Sequence, residues 1–540
     1  MLANITGNGI DAQNPLTDSQ QWMIILVIGS RLPSSGMSGM TTRPDAVDLA
    51  TGHGASPRLY NEDLAPSKER TWGTFSLFAM WMSDVHSIGG YAFAAGLFFL
   101  GLVGWQVFLA LVIGITGVFF LMNLTGFAGQ RTGVPFPVIA RISFGVFGAN
   151  LAALIRAIIA IAWYGIQTWL ASQAVLVLAV AARPSLGAYT DGGFLGLSPL
   201  GWVAFGVLWV LQLFVIRRGM ETVRRFQDFA GPAIWVVMFV LAIWIVVAAG
   251  SDFSLTLSTV SLSGGAAFQA FLAATALTIT YFSTLLLNFC DFSRFAPDRR
   301  TVVRGNFWGL PINFLAFAVV TVAVTAGSLA VFGEAITDPV EIVSRIDNIW
   351  VTVIGAVTFV IATIGINVVA NFVSASYDLA NVAPRYITFR RGGVISAVIA
   401  VIIVPWNLYG SPVAINFFLG GLGALLGPLF GVIFVDYFLV RRQQVSIEEL
   451  YLDDPRSRYY YRKGWNPKAL MAFIPAAAVA LVVALVPALT ELAAFSWFIG
   501  VIVAGAIYLV IAPRDVRQPQ LVGEEAQPEP PGANANIPAR

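Results

Sequence analysis

The chain has 540 residues, of which 57% are hydrophobic and 11% are charged, and its mean hydropathy is +0.77. A composition this apolar excludes an ordinary soluble protein, and the net charge of +2 gives no field that would attract nucleic acid. The one cysteine, Cys290, excludes an internal disulfide, and the two histidines, His53 and His86, are too few for a histidine-based metal centre.

Twelve apolar stretches follow one another along the chain. About 20 apolar residues cross roughly 30 Å of hydrocarbon as a helix, and lipid offers no partner for free backbone groups. The stretches are 74–100, 104–126, 148–182, 199–216, 229–249, 265–289, 306–332, 349–376, 392–409, 414–440, 467–487 and 490–512. The sequence therefore predicts an all-α polytopic membrane protein with twelve transmembrane helices.

Positive charge is concentrated in alternate connections between these stretches. The basic residues of one side are Lys68, Arg70, Arg131, Arg141, Arg217, Arg218, Arg224, Arg225, Arg294, Arg299, Arg300, Arg304, Arg385, Arg390, Arg391, Arg441 and Arg442. The other side has Arg183 and Arg345, with the acids Glu334, Asp338 and Glu341. Because basic loops stay in the cytoplasm, the first side and both termini are predicted to be cytoplasmic, in an inner or plasma membrane.

The two ends of the chain are polar. Residues 1–70 are rich in Gly, Pro, Ser and Thr, and they are predicted to form a disordered cytoplasmic tail. Met37 and Met40 are alternatives to Met1 as the start of the protein. Residues 513–540 are rich in Pro, Gln and Glu, and a second disordered cytoplasmic tail is predicted there.

Two of the apolar stretches are interrupted by polar residues. The first contains DVHSIGGY, residues 84–91, and the sixth contains TITYFST, residues 278–284. Two broken helices five spans apart are typical of an inverted repeat, and broken helices expose backbone groups that bind ions and polar solutes. Residues 71–440 are therefore predicted to form a core of ten helices in two inverted repeats. A cytoplasmic loop (441–466) and two additional helices (467–512) complete the predicted organisation.

Two spans carry polar side chains in pairs. In AWYGIQTW of the third span, Trp163 and Gln167 lie four residues apart and share a helix face. An indole offers a flat apolar surface, and a carboxamide offers a donor and an acceptor, which suits a planar heterocycle with adjacent C=O and N–H groups. In NVVANFVS of the eighth span, Asn367 and Asn371 are again four apart. Unpaired amides are costly in lipid, so both are expected to face the protein interior.

Several longer motifs occur in a fixed order. They are PSKERTWGTFSLFAMW (66–81), GVPFPVIARISFGVFGAN (133–150), WYGIQTW (163–169), LNFCDFSR (287–294), NVVANFVS (367–374), PWNLY (405–409) and GPLFGVIFVDYFLVRR (427–442). Over roughly residues 61–451 the chain resembles the nucleobase:cation symporter-1 family, which includes carriers of hydantoin, uracil, cytosine and allantoin. The resemblance implies the LeuT-type fold of five plus five helices with two more at the C-terminal end.

The same resemblance implies a substrate site. Its residues would be Trp163, Gln167, Tyr281, Phe282, Asn371 and Ser87. Trp163 would stack on one face of the substrate ring, and Gln167 and Asn371 would hydrogen-bond its edge. Phe282 falls where the hydantoin transporter has a second sandwiching tryptophan, and Ser87 falls at a substrate-facing position.

The resemblance also implies a cation-coupling site, at which this sequence departs from the family. Its residues would be Asp84, Ser83, His86, Ala362 and Gly365. The sodium-coupled relative uses carbonyls of the first helix, with one carbonyl and two hydroxyls of the eighth. Here the two hydroxyl positions are Gly365 and Ile366, while Asp84 adds a carboxylate to the first span. A carboxylate within a membrane can carry a proton, so proton coupling is favoured over sodium coupling.

These observations predict a secondary active importer of a nucleobase-like planar solute, with no cofactor. Sodium symport and uncoupled facilitation are the alternatives, since the predicted sodium site lacks two ligands. A membrane enzyme lacks a nucleophile–base or metal set, and a sensor of the same ligand lacks a signalling motif in the tails. The substrate within this class and the oligomeric state stay open.

Each candidate residue also has a purely structural interpretation. Trp163 and Phe282 are compatible with ordinary packing, and Gln167 and Asn371 with interhelical hydrogen bonds of about 0.6 kcal/mol each. Asp84 is compatible with bonds to the free N–H groups of a broken helix. His86 is equally compatible with a hydrogen-bonded interior residue, and the arginine clusters with determinants of topology.

Overall fold

The computed structural model describes residues 48–49, 51–216, 219–254, 262–336, 338–409 and 412–512. Within these ranges the regular elements are helices, and three isolated backbone bridges build no strand. Helices are expected because lipid offers no partner for free N–H and C=O groups. The predicted all-α class is therefore confirmed.

The first five predicted spans form six helices, and one more helix lies in a connection. They are α1 (Thr74–Val85), α2 (Ile88–Gly96), α3 (Gly104–Thr132), α4 (Phe136–Phe144), α5 (Ala149–Ala182), α6 (Pro199–Ile216) and α7 (Met220–Ala249). The first span is divided between α1 and α2, and α4 is a short helix in the connection that precedes α5.

The remaining spans contain the other helices. They are α8 (Gly264–Tyr281), α9 (Ser283–Asn288), α10 (Cys290–Ser293), α11 (Arg299–Phe307), α12 (Asn313–Phe332), α13 (Pro339–Ser344), α14 (Ile349–Ile366), α15 (Ser374–Val382), α16 (Phe389–Ile402), α17 (Pro405–Tyr409), α18 (Pro412–Phe434), α19 (Pro467–Leu485), α20 (Thr490–Ala493) and α21 (Ser496–Ile511). Wider π-helical turns continue three of them, at Trp308–Ile312, Asn367–Val373 and Val435–Val440.

Seven helical stretches of the described chain are long and apolar enough to cross a membrane. A pair formed by Pro487–Ala493 and Ser496–Ile511, bent by 82°, brings the number to eight if it counts as one span. Every one of the twelve predicted stretches contains helix. Several of them are broken or short, so their helices are not among the seven that are long enough to cross a membrane. The architecture is therefore that of a multi-pass membrane protein and is consistent with twelve spans.

The first and sixth spans are broken at the predicted places. α1 ends before His86, and the Ser87 side chain begins α2 by accepting the N–H of Gly90 at 3.0 Å. α8 ends at Tyr281 and α9 begins at Ser283, with Phe282 between them. Serine is a favoured N-cap residue because its hydroxyl satisfies an otherwise free N–H.

Part of the predicted N-terminal tail is ordered, so the prediction of disorder through residue 70 is wrong for its last section. Leu59 and Leu64 are buried, and the Leu59 carbonyl accepts from Arg141 Nη2 at 2.8 Å. Arg141 also donates to the Leu450 carbonyl in the segment after α18, at 3.0 Å. Burial lowers the pKa of Arg141 to about 10, which leaves the guanidinium charged at neutral pH. The contacts explain the order, because a buried arginine needs partners for its N–H groups.

Three other predictions lie outside the described residues. They concern residues 1–47 with the alternative starts, the tail 513–540, and the basic residues at 217–218. The two additional helices, α19 and α21, are described, and both pack against α18 and against each other.

Candidate functional site

A cavity of about 390 Å³ lies where the two broken spans meet α5 and the π-helical turn at Asn367–Val373. Its lining residues are Asp84, Trp163, Gln167, Tyr281, Phe282, Thr284, Leu285, Ile366, Ala370 and Asn371. Six of them are residues that the sequence analysis assigned to the substrate or cation site. Ligand sites are typically clefts with apolar walls and a few placed polar groups, and the lining of this cavity has that character.

Aromatic side chains form much of the wall, and several are held by other rings. Phe282 is buried and packs edge-on against Trp81, with ring centroids 6.4 Å apart, and against Phe314 at 5.8 Å. Tyr281 is stacked on Phe93, with centroids 4.6 Å apart. Rings fixed in this way present a preorganised apolar surface, together with Trp163 from α5.

The carboxamide of Gln167 is buried, yet it makes no hydrogen bond to the described residues. Its Nε2 faces the break between α1 and α2, where a Cβ on Gly89 would lie 2.8 Å from that nitrogen. Glycine at this position therefore leaves room for the amide. A buried amide without partners costs free energy, so its donor and acceptor are suited to a ligand in the cavity.

Asn367 and Asn371 divide their roles. Asn367 Nδ2 lies 2.9 Å from Gln212 Oε1 and 3.0 Å from Thr168 Oγ1, and it does not line the cavity. Asn371 Nδ2 donates to Asn367 Oδ1 at 2.9 Å, and Asn371 is a lining residue of the cavity. Asn367 thus holds Asn371 in place at the cavity wall.

Two side chains of the first break form hydrogen bonds within the protein. Ser87, predicted to face the substrate, is not among the lining residues, because its hydroxyl caps α2. The His86 ring contacts Tyr91 Oη at 2.7 Å and Asn313 Oδ1 at 3.2 Å. Asn313 Nδ2 in turn donates to the Trp81 carbonyl at 3.2 Å, near the end of α1. The His86 ring is therefore hydrogen-bonded within the protein, whereas the role that the resemblance implies for this residue concerns its backbone carbonyl.

The residues implied to bind a cation lie where α1, α7 and α14 cross. Ser83 and Gly365 are in contact, since a Cβ on Gly365 would overlap Ser83 Oγ. The Gly365 carbonyl accepts from Gln227 Nε2 at 2.9 Å, and Ala362 is buried one turn earlier on α14. Asp84 lines the cavity, and its Oδ1 has no partner among the described residues. The two positions at which the resemblance implies hydroxyl ligands are Gly365 and Ile366, and neither side chain has an oxygen.

A second buried polar group lies beneath the cavity. Arg156 Nη2 donates to the carbonyl of the cavity residue Ala370 at 2.7 Å and contacts Asn288 Oδ1 at 3.3 Å. Asn288 Nδ2 lies 3.2 Å from Asp291 Oδ2, and Asp291 Oδ1 accepts the N–H of Phe136 at 2.7 Å. These bonds connect the cavity wall to α9, α10 and the start of α4.

Several residues of the site were not predicted from sequence. Leu285 and Ala370 line the cavity, but apolar residues in an apolar span give no signal of their own. Gln227 was missed because the fifth span was predicted to begin at residue 229. In the structure α7 begins at Met220, and Arg224 is neutralised by Glu221 and Asp228, at 2.7 and 2.9 Å.

Comparison with known proteins gives a consistent result. Residues 65–500 match the family described as permeases for cytosine and purines, uracil, thiamine and allantoin. An allantoin permease of Bacillus subtilis is 39% identical over 84% of this chain and 94% of its own length. A purine-uracil permease of Arabidopsis thaliana is 31% identical over 87% of this chain and 81% of its own length.

A solved structure resembles the whole bundle. It is that of Mhp1, a nucleobase-cation-symport-1 family transporter, in a closed conformation with bromovinylhydantoin bound. The TM-score is 0.68 and the identity 26%, over 84% of this chain and 94% of that chain. The bundle therefore has the LeuT-type fold with its paired broken helices, and the chain belongs to the nucleobase:cation symporter-1 family of membrane permeases.

Proposed function

We propose that this protein imports a planar nucleobase-like heterocycle by secondary active transport. The observation that carries the proposal is the Gln167 amide, which is buried beside aromatic walls and has no hydrogen-bond partner among the described residues. A flat ring between Trp163 and Phe282 would pair its edge with that amide. The stacking requires a flat ring, and the pairing requires N–H and C=O groups at its edge.

Within this class we propose a cyclic imide or ureide, of which allantoin, hydantoin and uracil are examples. Two buried oxygens of cavity residues, Gln167 Oε1 and Asp84 Oδ1, have no hydrogen-bond partner among the described residues. Acceptors in excess favour a ligand rich in N–H donors, and allantoin has N–H groups on both its ring and its side chain. The similarity to an allantoin permease supports the same choice.

We propose that protons drive the import. Asp84 lies in the wall of the cavity, at the end of a broken helix, with one oxygen unpaired. A carboxyl group in that place can gain a proton from one side and release it to the other as the protein changes conformation. Sodium symport is disfavoured because Gly365 and Ile366 stand at the two implied hydroxyl positions, and uncoupled facilitation is the second alternative.

The proposed setting is an inner or plasma membrane with both termini in the cytoplasm. Its support is the concentration of basic residues in alternate connections. With this orientation, the polar group at Arg156 and Asp291 lies on the cytoplasmic side of the cavity.

An uptake panel tests the proposal. A transport-deficient host that expresses the protein would be given labelled allantoin, hydantoin, uracil, cytosine, hypoxanthine and thiamine. We expect accumulation of one of the first three above the external concentration, and its loss when a protonophore is added. Equilibration without accumulation would indicate a facilitator, and uptake of none of the six would contradict the proposed substrate class.

A further inference from the structure

A buried amide connects two helices outside the substrate cavity. Gln227 of α7 is fully buried, and its Nε2 donates to the Gly365 carbonyl of α14 at 2.9 Å. Directly after Gly365 and Ile366 the helix widens into the π-helical turn Asn367–Val373. Where the hydrogen-bonding register of a helix changes from four to five residues, a carbonyl is available to an outside donor. Gln227 supplies that donor from a neighbouring helix.

The other end of the amide faces α1. A Cβ on Gly365 would overlap Ser83 Oγ and lie 3.6 Å from Gln227 Oε1, so the hydroxyl and the amide oxygen approach one point from two helices. Both residues are fully buried, and neither oxygen has a hydrogen-bond partner among the described residues. A buried donor and a buried acceptor this close, both unpaired, are expected to pair in another conformation of the molecule.

We propose that the Gln227 carboxamide joins α1, α7 and α14 in place of a coupling cation. The amide N–H, with its partial positive charge, takes the Gly365 carbonyl, and Oε1 accepts the Ser83 hydroxyl when α1 moves towards α7. Gln227 is then a positioning residue of the transport cycle, and this crossing binds no sodium ion. The inference rests on the proposed transport function and deepens its choice of coupling ion.

The chemistry of the crossing favours an amide over an ion. A sodium ion needs several oxygen ligands to replace its water, and Gly365 and Ile366 contribute no side-chain oxygen. Burying a neutral amide that makes hydrogen bonds costs far less than burying an incompletely coordinated charge. The crossing stays neutral in both conformations, and the proton remains the coupling ion through a different residue.

The first test measures sodium binding without relying on transport. The thermal unfolding midpoint of the purified protein is compared in sodium chloride and in choline chloride, with and without the substrate found by uptake. We expect the same midpoint and the same substrate affinity in both salts. A midpoint or an affinity raised by sodium would overturn the inference. If no substrate is found at all, the proposed function fails, but the comparison without substrate still decides the inference.

The second test changes the amide itself. Gln227→Leu should lower the uptake rate about tenfold in both salts, because the Gly365 carbonyl loses its partner. Gln227→Glu removes the donor only while the carboxyl is ionised. A protonated carboxyl can again donate to that carbonyl, so the uptake of this variant relative to the parent should rise as the pH falls.

Gln269→Leu is the matched control, because Gln269 is exposed at the start of α8 and bonds only to Glu491, at 3.3 Å. It should transport as the parent does. Gel filtration and the unfolding midpoint confirm that each variant is folded. Parental uptake by folded Gln227→Leu, or a Gln227→Glu ratio that does not change with pH, would show that the amide only fills space.

Discussion

Gln167→Leu removes the one amide of the cavity that has no partner in the protein, and it keeps nearly the same volume. A heterocycle bound there would lose one hydrogen bond to its N–H and one to its C=O, and both groups would stay buried. At about 1–1.5 kcal/mol for each lost bond, the free energy of binding falls by roughly 2–3 kcal/mol, so Kd rises about 30- to 150-fold. The stability of the folded protein should not fall, because Gln167 bonds to no described residue.

Substrate binding to the purified variant is measured by titration calorimetry, and folding by the thermal unfolding midpoint. Gln173→Leu is the control, because Gln173 lies on the same helix and bonds only within it, to Trp169 O at 3.5 Å and Ser172 Oγ at 3.3 Å. Binding by Gln167→Leu within about threefold of the parent would refute the assignment of this amide to the ligand.

Three further changes test the cavity from other sides. Trp163→Ala should weaken substrate binding about ten- to hundredfold through lost stacking, and Trp163→Phe should restore most of it, both measured by calorimetry. Asn371→Ala should raise Kd about tenfold and lower the unfolding midpoint less than Asn367→Ala, because the first change leaves one buried acceptor unpaired and the second leaves several buried groups unpaired. Gly89→Val should raise Kd without loss of the folded protein, because a larger side chain would displace Gln167 Nε2.

Much of the architecture follows from the sequence because the membrane simplifies the physics. Long apolar stretches must be helices in lipid, and a cluster of polar and glycine residues such as DVHSIGGY can only be a break. The four-residue spacing of Trp163 and Gln167 places both on one helix face, and both line the cavity. The aromatic rings and amides of the site could therefore be predicted from the sequence alone.

Other features depend on particular hydrogen-bond partners, which periodicity does not show. Ser87 has the same hydroxyl whether it faces a substrate or caps α2, and only the N–H of Gly90 decides between them. Asn367 and Asn371 look alike in sequence, but Gln212 and Thr168 engage the first and leave the second to the cavity. Gln227 is not predicted from the sequence, because charged residues surround it and the apolar stretch begins after it. Ion pairs neutralise those charges, so the helix begins before the apolar stretch does.

The proposed coupling ion depends on Asp84, and it predicts how uptake changes with pH. If its carboxyl carries the coupled proton, loading from outside requires protonation, so uptake should be full at acidic external pH and decline as that pH rises. Asp84→Asn cannot release a proton, so it should lose accumulation against a gradient while still exchanging substrate across the membrane. Proteoliposomes with imposed gradients separate the two activities, and the parent should accumulate substrate under a pH gradient with no sodium present.

Asp252→Asn is the control, since Asp252 is an exposed carboxylate in the turn after α7. Accumulation driven by a sodium gradient at equal pH on both sides would make Asp84 a sodium ligand. That result would also remove the role proposed for Gln227, because that role requires a crossing that binds no sodium ion.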